Sequence, residues 1–208
     1  MQLTTDGGVT WTSVAFDGAD VRQLLSLDYV SESQIDVIAA TADCTPTVVT
    51  SFTGGEFWQA YPDQIESVTF LQPTDPTVLR VQGADVTAPC AVREVRSVSQ
   101  SLAVLCSDGS VQVRGKTALW TQLNTSDVLA MAPNGATGVL VVSSVPTCTG
   151  VLVRSIDIDS GASTDLSCLA ARRTNATVDL MANSVFYWSG ADFLLSETGG
   201  TSWAPVGR

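Results

Sequence analysis

The chain has 208 residues, of which 45% are hydrophobic and 15% are charged, and its formal net charge is −11. This length and apolar content are enough to bury a sizeable core, whereas the negative charge and the lack of a basic run argue against nucleic-acid binding. The sequence contains no histidine, the commonest general base and zinc ligand, and no apolar run approaches the roughly 20 residues that span a membrane.

The first informative segment is TTDGGVTW at residues 4–11. Adjacent glycines permit positive φ, so the segment predicts a tight β-hairpin turn. The Asp6 side chain is expected to accept backbone N–H groups within the turn, and the Trp11 ring is expected to pack between strands. The role predicted for both residues is structural.

Two degenerate copies of this segment follow, SFTGGEFW at 51–58 and SETGGTSW at 196–203. Both keep a hydroxyl residue first, two central glycines and a final tryptophan, but threonine replaces the aspartate. Trp58 lies 47 residues after Trp11, and Trp203 lies about three such intervals further along. A period in the forties is typical of four-stranded propeller blades.

The remaining elements are short β-branched or aromatic runs bounded by turn residues, with no sustained helical period. Predicted strands of the first blade are 21–30, 35–40, 47–52 and 57–61. An abbreviated blade is predicted near 65–90 and a fuller one near 91–124, and two four-strand sets follow at 127–168 and 177–206. No linker-like tract divides the chain, so one domain over 1–208 is expected.

The motif resembles the Asp-box, or BNR repeat, of pattern Ser/Thr-x-Asp-x-Gly-x-Thr-Trp. The matching residues are Thr4, Asp6, Gly8, Thr10 and Trp11, with Ser51, Gly55, Trp58, Ser196, Gly200 and Trp203 in the copies. Such repeats occur in sialidases, sortilin-type receptors, photosystem II assembly factors and secreted propellers of high-GC Gram-positive bacteria, which this chain resembles most. The resemblance implies an all-β β-propeller in which the motif stabilises the blade periphery. Accordingly, Trp203→Ala is expected to cost about 3–5 kcal/mol if that ring is buried.

The N-terminal blade is predicted to be incomplete, because only two strands surround the first motif. Either this hairpin pairs with a shorter blade, or strands upstream of residue 1 are missing. An unpaired edge favours aggregation, so a closed ring of five or six blades is expected.

Five cysteines without a CxxC pair favour disulfides and an oxidising compartment, although buried thiols remain the alternative. The proposed pairs, Cys90–Cys106 and Cys148–Cys168, flank strands within single blades. Cys44 is left over, and its partner would lie upstream of residue 1. The disulfides favour an extracellular or cell-envelope protein. Because the opening residues lack the features of a signal peptide, we expect the chain to have been cut from a longer precursor.

The function expected is non-enzymatic: a binding or scaffold module with a protein or glycan partner at the cell envelope and no cofactor or metal. A sialidase-like glycoside hydrolase is one alternative, and it would need an arginine triad and a Tyr–Glu pair. The tyrosines available are Tyr29, Tyr61 and Tyr187, but none of the arginines lies in a sialidase signature. An assembly factor for a membrane complex is the other alternative, which an arginine cluster would support. The run Asp157–Gly161 could start a calcium loop, but a turn is the simpler interpretation, and Arg172–Arg173 is interpreted as a solvated loop.

Overall fold

Antiparallel strands make up nearly all the regular structure. The computed structural model describes residues 1–4, 8–115 and 117–206. In those ranges the helical structure is one short 3-10 turn, Pro62–Ser67, and no helix is long and apolar enough to cross a membrane. The chain divides into two compact units, Met1–Ala88 and Pro89–Arg208. A single domain over 1–208 stays a prediction.

The first unit contains three antiparallel sheets. Its strands are β1 (Gln2–Leu3), β2 (Thr12–Ser13), β3 (Gln23–Tyr29), β4 (Ile35–Ala40), β5 (Pro46–Ser51), β6 (Gln59–Ala60), β7 (Thr69–Leu71), β8 (Val78–Val81) and β9 (Ala84–Thr87). They form a two-stranded sheet β1–β2, a four-stranded sheet β3–β6 and a three-stranded sheet β7–β9. The predicted abbreviated blade near 65–90 is therefore the sheet β7–β9.

The second unit contains three four-stranded sheets. Its strands are β10 (Val92–Val98), β11 (Ser101–Cys106), β12 (Val111–Arg114), β13 (Trp120–Gln122), β14 (Val128–Asn134), β15 (Gly138–Ser143), β16 (Val151–Asp157), β17 (Ser163–Leu169), β18 (Thr177–Met181), β19 (Ser184–Ser189), β20 (Asp192–Ser196) and β21 (Ala204–Pro205). The sheets are β10–β13, β14–β17 and β18–β21, each in chain order.

Every sheet is a meander in which strands adjacent in sequence are hydrogen-bonded neighbours. Such meanders are the blades of β-propellers. The predicted fold class, an all-β β-propeller, is confirmed, with five blades beside the N-terminal hairpin. The predicted strand runs match the structure to within a few residues, because turn residues bound each run locally.

The central strand β15 of the middle blade is apolar on both faces because a neighbouring blade packs on each face. All six residues of β15, GVLVVS, are buried. Val139 and Val141 face the core shared with β10–β13, whereas Leu140 and Val142 face the core shared with β18–β21. Alternate residues of a strand point to opposite faces, so one strand supplies both cores.

One apolar cluster of the first unit lies on one face of the sheet β3–β6. Ile35, Val37 and Val49 are at most 1% exposed there, and Trp58 is 6% exposed. The N-terminal segment covers them, with Met1, Leu3, Val14 and Phe16 among the side chains packed on this cluster. The hairpin β1–β2 is thereby fixed to the first blade by packing.

Candidate functional site

The three Gly-Gly turns share one hydrogen-bond pattern. In each, the second glycine N–H donates at 2.8 Å to the hydroxyl oxygen of the first motif residue: Gly8 to Thr4, Gly55 to Ser51 and Gly200 to Ser196. In each, the indole Nε1 donates to that glycine's carbonyl oxygen: Trp11 at 3.1 Å, Trp58 at 2.9 Å and Trp203 at 3.1 Å. The motif residues thus satisfy one another within the turn.

Glycine is required at the fifth position of the motif. Gly55 has φ +98°, and a Cβ placed there would come within 2.7 Å of the Leu3 Cδ2 atom. Gly8 and Gly200 have φ +93° and +96°, which L side chains rarely adopt. Each turn joins two adjacent strands, as the sequence predicted.

Threonine takes the predicted role of the motif aspartate in the two copies. The Thr53 hydroxyl accepts the N–H of Phe57 at 2.9 Å, and the Thr198 hydroxyl accepts the N–H of Ser202 at 3.0 Å. Asp6 itself lies outside the described residues. A hydroxyl oxygen can accept a backbone N–H hydrogen bond as a carboxylate does, so threonine can stabilise the same turn.

The motif tryptophans differ in burial. Trp58 is 6% exposed, and its ring centroid lies 4.7 Å from that of Phe16. Trp203 is only half buried, although its Nε1 also donates to the Ser167 hydroxyl at 2.9 Å. The loss predicted for Trp203→Ala depended on a buried ring, and this ring is not fully buried. Trp58 is the residue that meets this condition.

The structure joins the cysteines as proposed. Cys90 bonds to Cys106 and Cys148 to Cys168, with Cα–Cα distances of 5.8 Å and 5.6 Å. Both pairs lie in the second unit and cross-link neighbouring segments of a blade. Cys44 is an exposed free cysteine with φ +63°. Two disulfides indicate an oxidising compartment.

Tyr187 and the arginines of the described ranges, which a sialidase-type site could use, make other contacts. Tyr187 is fully buried and its hydroxyl donates to the Arg172 carbonyl oxygen, and burial raises its pKa. Five arginines of the described ranges pair with carboxylates: Arg22, Arg80, Arg96, Arg154 and Arg172. Three donate to backbone carbonyls: Arg93, Arg114 and Arg173. Each of these guanidiniums makes its own contacts with protein groups.

Arg173 makes more contacts than the prediction of a solvated loop implies. Arg173 was expected to lie in a solvated loop, and it does lie in an exposed loop. Its guanidinium nevertheless donates to the carbonyl oxygens of Gly150 and Cys148, both at 2.8 Å, and to the Ser144 hydroxyl at 2.9 Å. These three hydrogen bonds fix the segment before β16. The sequence alone does not show them.

Charged side chains join the first strands of two blades in the second unit. Glu94 accepts from Arg96 Nη2 at 2.6 Å and from the Met131 N–H at 3.4 Å. Arg93 donates to the Leu129 carbonyl oxygen at 2.6 Å. Burial raises the pKa of Glu94 and outweighs the lowering effect of Arg96. These contacts tie β10 to β14 and so have a structural explanation.

Asp157 closes the turn after β16. Its carboxylate accepts the N–H and hydroxyl of Ser160 at 2.8 and 2.7 Å and the Thr137 hydroxyl at 2.7 Å. These hydrogen bonds to the charged form lower its pKa to about 2. The segment 157–161 therefore has the bonding of a polar turn, which is the interpretation that the sequence favoured.

The last blade of the second unit carries exposed apolar side chains on one face. Trp188 is 40% exposed and Met181 is 49% exposed. The Phe193 ring centroid lies 5.4 Å from that of Trp188 and 6.3 Å from that of Phe186. We call these four residues the aromatic face. The opposite face of the same sheet, which includes Val185 and Tyr187, packs against the sheet β14–β17.

A groove adjoins the aromatic face. It has a volume of about 240 Å³ and includes Phe193, Asp192 and Pro205 in its lining. The Asp192 carboxylate accepts the Arg172 N–H at 2.9 Å and lies 3.8 Å from the Arg172 guanidinium. The site thus combines an apolar ring surface with a charged pair at its edge.

The aromatic face is not predictable from the sequence alone. Its signal was the alternation Phe186-Tyr187-Trp188, which places Phe186 and Trp188 on one side of β19 and Tyr187 on the other. Which side would be buried depended on the position of the neighbouring blade. Only the tertiary structure shows that Tyr187 faces the core.

No protein-family model matches the sequence, and no curated protein matches it. Solved structures do resemble it. A structure described as "YCF48 bound to D1 peptide" aligns over 94% of this chain and 74% of its own, with 10% identity and a TM-score of 0.49. A structure described as "Crystal structure of Nidogen/Laminin Complex" aligns over 88% of this chain and 79% of its own, with 9% identity and a TM-score of 0.57. At that identity the likeness to the second is one of fold alone.

Proposed function

We propose that the protein is a non-enzymatic, secreted binding module that holds a protein partner through the aromatic face. The observation that carries the proposal is the exposure of Trp188 and Met181 beside Phe193, on the face of the sheet opposite to the one that carries Val185 and Tyr187. Aromatic residues and methionine are enriched in protein interfaces, and buried tryptophan is a frequent energetic hot spot.

Two further observations support a binding role outside the cytoplasm. The disulfides Cys90–Cys106 and Cys148–Cys168 suit an oxidising compartment such as the cell envelope. A structural neighbour is described as a nidogen/laminin complex, so a chain of similar fold is found in a protein–protein complex. Fold alone does not fix function, and the aromatic face therefore carries the argument.

The Asp-box assignment and the bacterial origin belong to the same proposal. The shared turn bonds at Gly8, Gly55 and Gly200 support a repeat of that kind. The glycoside hydrolase and assembly-factor alternatives gain no specific support, because the arginines of the described ranges make separate contacts. A glycan partner remains an outcome of the test below, since an exposed tryptophan also stacks on sugar rings.

The proposal is tested by placing a photo-reactive benzoylphenylalanine at position 188 and irradiating the protein in a native envelope extract. A specific protein crosslink, lost when Phe193 is replaced by aspartate, is the expected result. The matched control carries the same reporter at Leu119, which is 71% exposed and outside the aromatic face. Equal crosslinking at both positions, or retention of a glycan instead of a protein, would contradict the proposal.

A further inference from the structure

The Gly-Gly turn of the first blade carries two exposed phenylalanines. Phe52 is 56% exposed and Phe57 is 72% exposed. The ring of Tyr61, on the segment that follows, lies 6.2 Å from that of Phe52 between centroids, in an edge-to-face arrangement. One turn and the strand after it therefore present three aromatic rings at the outer edge of the sheet β3–β6.

The bonding of the turn does not explain these phenylalanines. The copy of the motif in the last blade has Glu197 and Ser202 at the places of Phe52 and Phe57, and the N-terminal copy has threonine at both. The last blade nevertheless keeps the 2.8 Å bond from the second glycine N–H to the first hydroxyl, as this turn does. Rings that stay exposed add little to folding, and exposed apolar patches mark interaction sites.

The surroundings of these rings are acidic. Residues 23–79 contain eight Asp and Glu residues and no Lys or Arg. Four of these carboxylates accept hydrogen bonds or ion pairs from neighbouring side chains: Asp36, Asp43, Glu66 and Asp75. The exposed side chains of Glu32, Glu56 and Asp63 make no such contact with any residue that the structure describes. Their negative charge is therefore available to a partner.

Two of the available carboxylates belong to the segment that carries the rings. Glu56 directly precedes Phe57, and Asp63 follows Tyr61 by two residues. The Phe57 N–H donates to the Thr53 hydroxyl at 2.9 Å, so the backbone of the turn is already fixed in the free protein. A partner that binds this turn has little backbone ordering to impose on it.

The third available carboxylate comes from the neighbouring turn. Glu32 lies between β3 and β4, and the Gly54 N–H donates to the Ser33 carbonyl oxygen at 2.8 Å, which joins the two turns. An open groove of about 620 Å³ includes Glu32, Thr53 and Gly54 in its lining. A long cationic side chain that enters this groove can pair with Glu32 while its neighbours cover the rings.

We propose that these two turns bind a segment of a partner protein that presents arginine beside apolar side chains. A guanidinium stacks on aromatic rings and pairs with carboxylates, and it is more weakly hydrated than an ammonium. Charge complementarity favours a basic segment, and the rings favour an apolar one. We call the surface the acidic turn patch, and its residues are Glu32, Phe52, Glu56, Phe57, Tyr61 and Asp63. It shares no residue with the aromatic face, so the two proposals can fail independently.

The probe is a short fluorescently labelled peptide in which arginine alternates with leucine. It is titrated into the intact protein while anisotropy is followed, and saturable binding below about 1 mM is expected. A peptide with lysine in place of each arginine has the same charge and should bind at least about threefold more weakly, because an ammonium cannot stack as a planar guanidinium does. Equal binding of the two peptides would refute the assignment to arginine.

A double variant separates the rings from general electrostatics. Phe52→Glu/Phe57→Ser gives this turn the side chains that the last blade carries at the same places. Binding should weaken about tenfold, whereas Tm should change by less than about 2 °C because both rings are exposed. Attraction to an acidic chain alone predicts the opposite, since the variant gains a negative charge.

The control for that variant is Leu119→Glu. It adds the same charge at a leucine that is 71% exposed and outside the acidic turn patch, so binding should not change. Weaker binding in both variants, or in neither, would refute the proposed site.

A second double variant tests the carboxylates. Glu32→Gln/Glu56→Gln keeps the rings and should weaken binding about fivefold at low salt, and the difference should shrink as salt is raised. Asp159→Asn/Glu197→Gln removes the same charge at exposed residues of the second unit and should have little effect. An equal loss in the two double variants would show that the total charge of the chain, not this patch, attracts the peptide.

Two other outcomes would overturn the proposal. Failure of the arginine peptide to saturate the protein up to about 1 mM would show that the patch does not accept such a segment. A concentration-dependent dimer in light scattering, lost in Phe52→Glu/Phe57→Ser, would show that a second copy of this chain covers the rings instead. Crosslinking from position 188 would be unaffected in either case.

Discussion

Replacing Trp58 with alanine tests whether the Gly-Gly motif stabilises the first unit through packing. The ring is 6% exposed, lies 4.7 Å from Phe16 between centroids and donates to the Gly55 carbonyl oxygen at 2.9 Å. Removal of a buried tryptophan leaves a cavity and costs about 3–5 kcal/mol, which already includes the lost aromatic contact. Because a chain of about 200 residues loses 2–4 °C per kcal/mol, we expect Tm to fall by ~10 °C.

The assay is urea unfolding followed by circular dichroism, with calorimetry to obtain Tm. Trp58→Phe is the matched control: it keeps a ring in the core but loses the indole hydrogen bond, so about 1–2 kcal/mol is expected. Trp203→Ala provides a second comparison, and its loss should be smaller than that of Trp58→Ala because its ring is half buried. A loss below about 1 kcal/mol for Trp58→Ala, the range of ordinary surface changes, would refute the packing argument.

Three further predictions concern the turns and cross-links. Gly55→Ala should lower the unfolding free energy by at least about 1 kcal/mol, measured in urea, because φ is +98° and Leu3 lies in the way. Cys148→Ser/Cys168→Ser should cost about 3 kcal/mol in the same assay, since the bond closes a 20-residue separation. Hydrogen bonds to the carboxylate lower the pKa of Asp157 from 3.8 to about 2. They therefore stabilise the fold fully above pH 3.8, and this stabilisation is lost as the pH falls through about 2. Asp157→Asn should therefore flatten the stability profile between those values in acid titrations followed by circular dichroism.

Matched changes separate these causes. Gly161 has φ +71°, and a Cβ added there would have no atom within 4 Å. The loss of stability in Gly161→Ala therefore measures the cost of positive φ without a steric clash. An equal loss at Gly55 and Gly161 would contradict a steric role for Leu3. Unchanged stability after removal of the disulfide, or an unaltered acid profile in Asp157→Asn, would contradict the corresponding prediction.

The local features of this fold are predictable from the sequence. The turn at residues 51–58 was predicted from its glycines, because positive φ is a property of the residue itself and needs no tertiary information. The abbreviated blade was found because turn residues bound each short strand. The cysteine pairs followed from their placement at strand ends, and the structure has both.

Features that depend on the neighbour of a sheet could not be predicted. Trp58 and Trp203 end nearly identical motifs, yet only Trp58 is closed off, by Phe16 of the N-terminal segment. Phe186 and Tyr187 are adjacent aromatic residues with opposite environments. Sequence specifies that their side chains alternate but not which side another sheet covers.

The sequence by itself determined the all-β class, the blade period, the turns and the cross-link pattern, since each arises from conformational preferences or spacing within a few tens of residues. Tertiary structure alone decided which apolar side chains stay exposed. Leu27 and Val37 are paired apolar residues on one face of neighbouring strands, but Leu27 is 46% exposed and Val37 is 0% exposed. Burial depends on what lies above a residue, and that is set by segments distant in the chain.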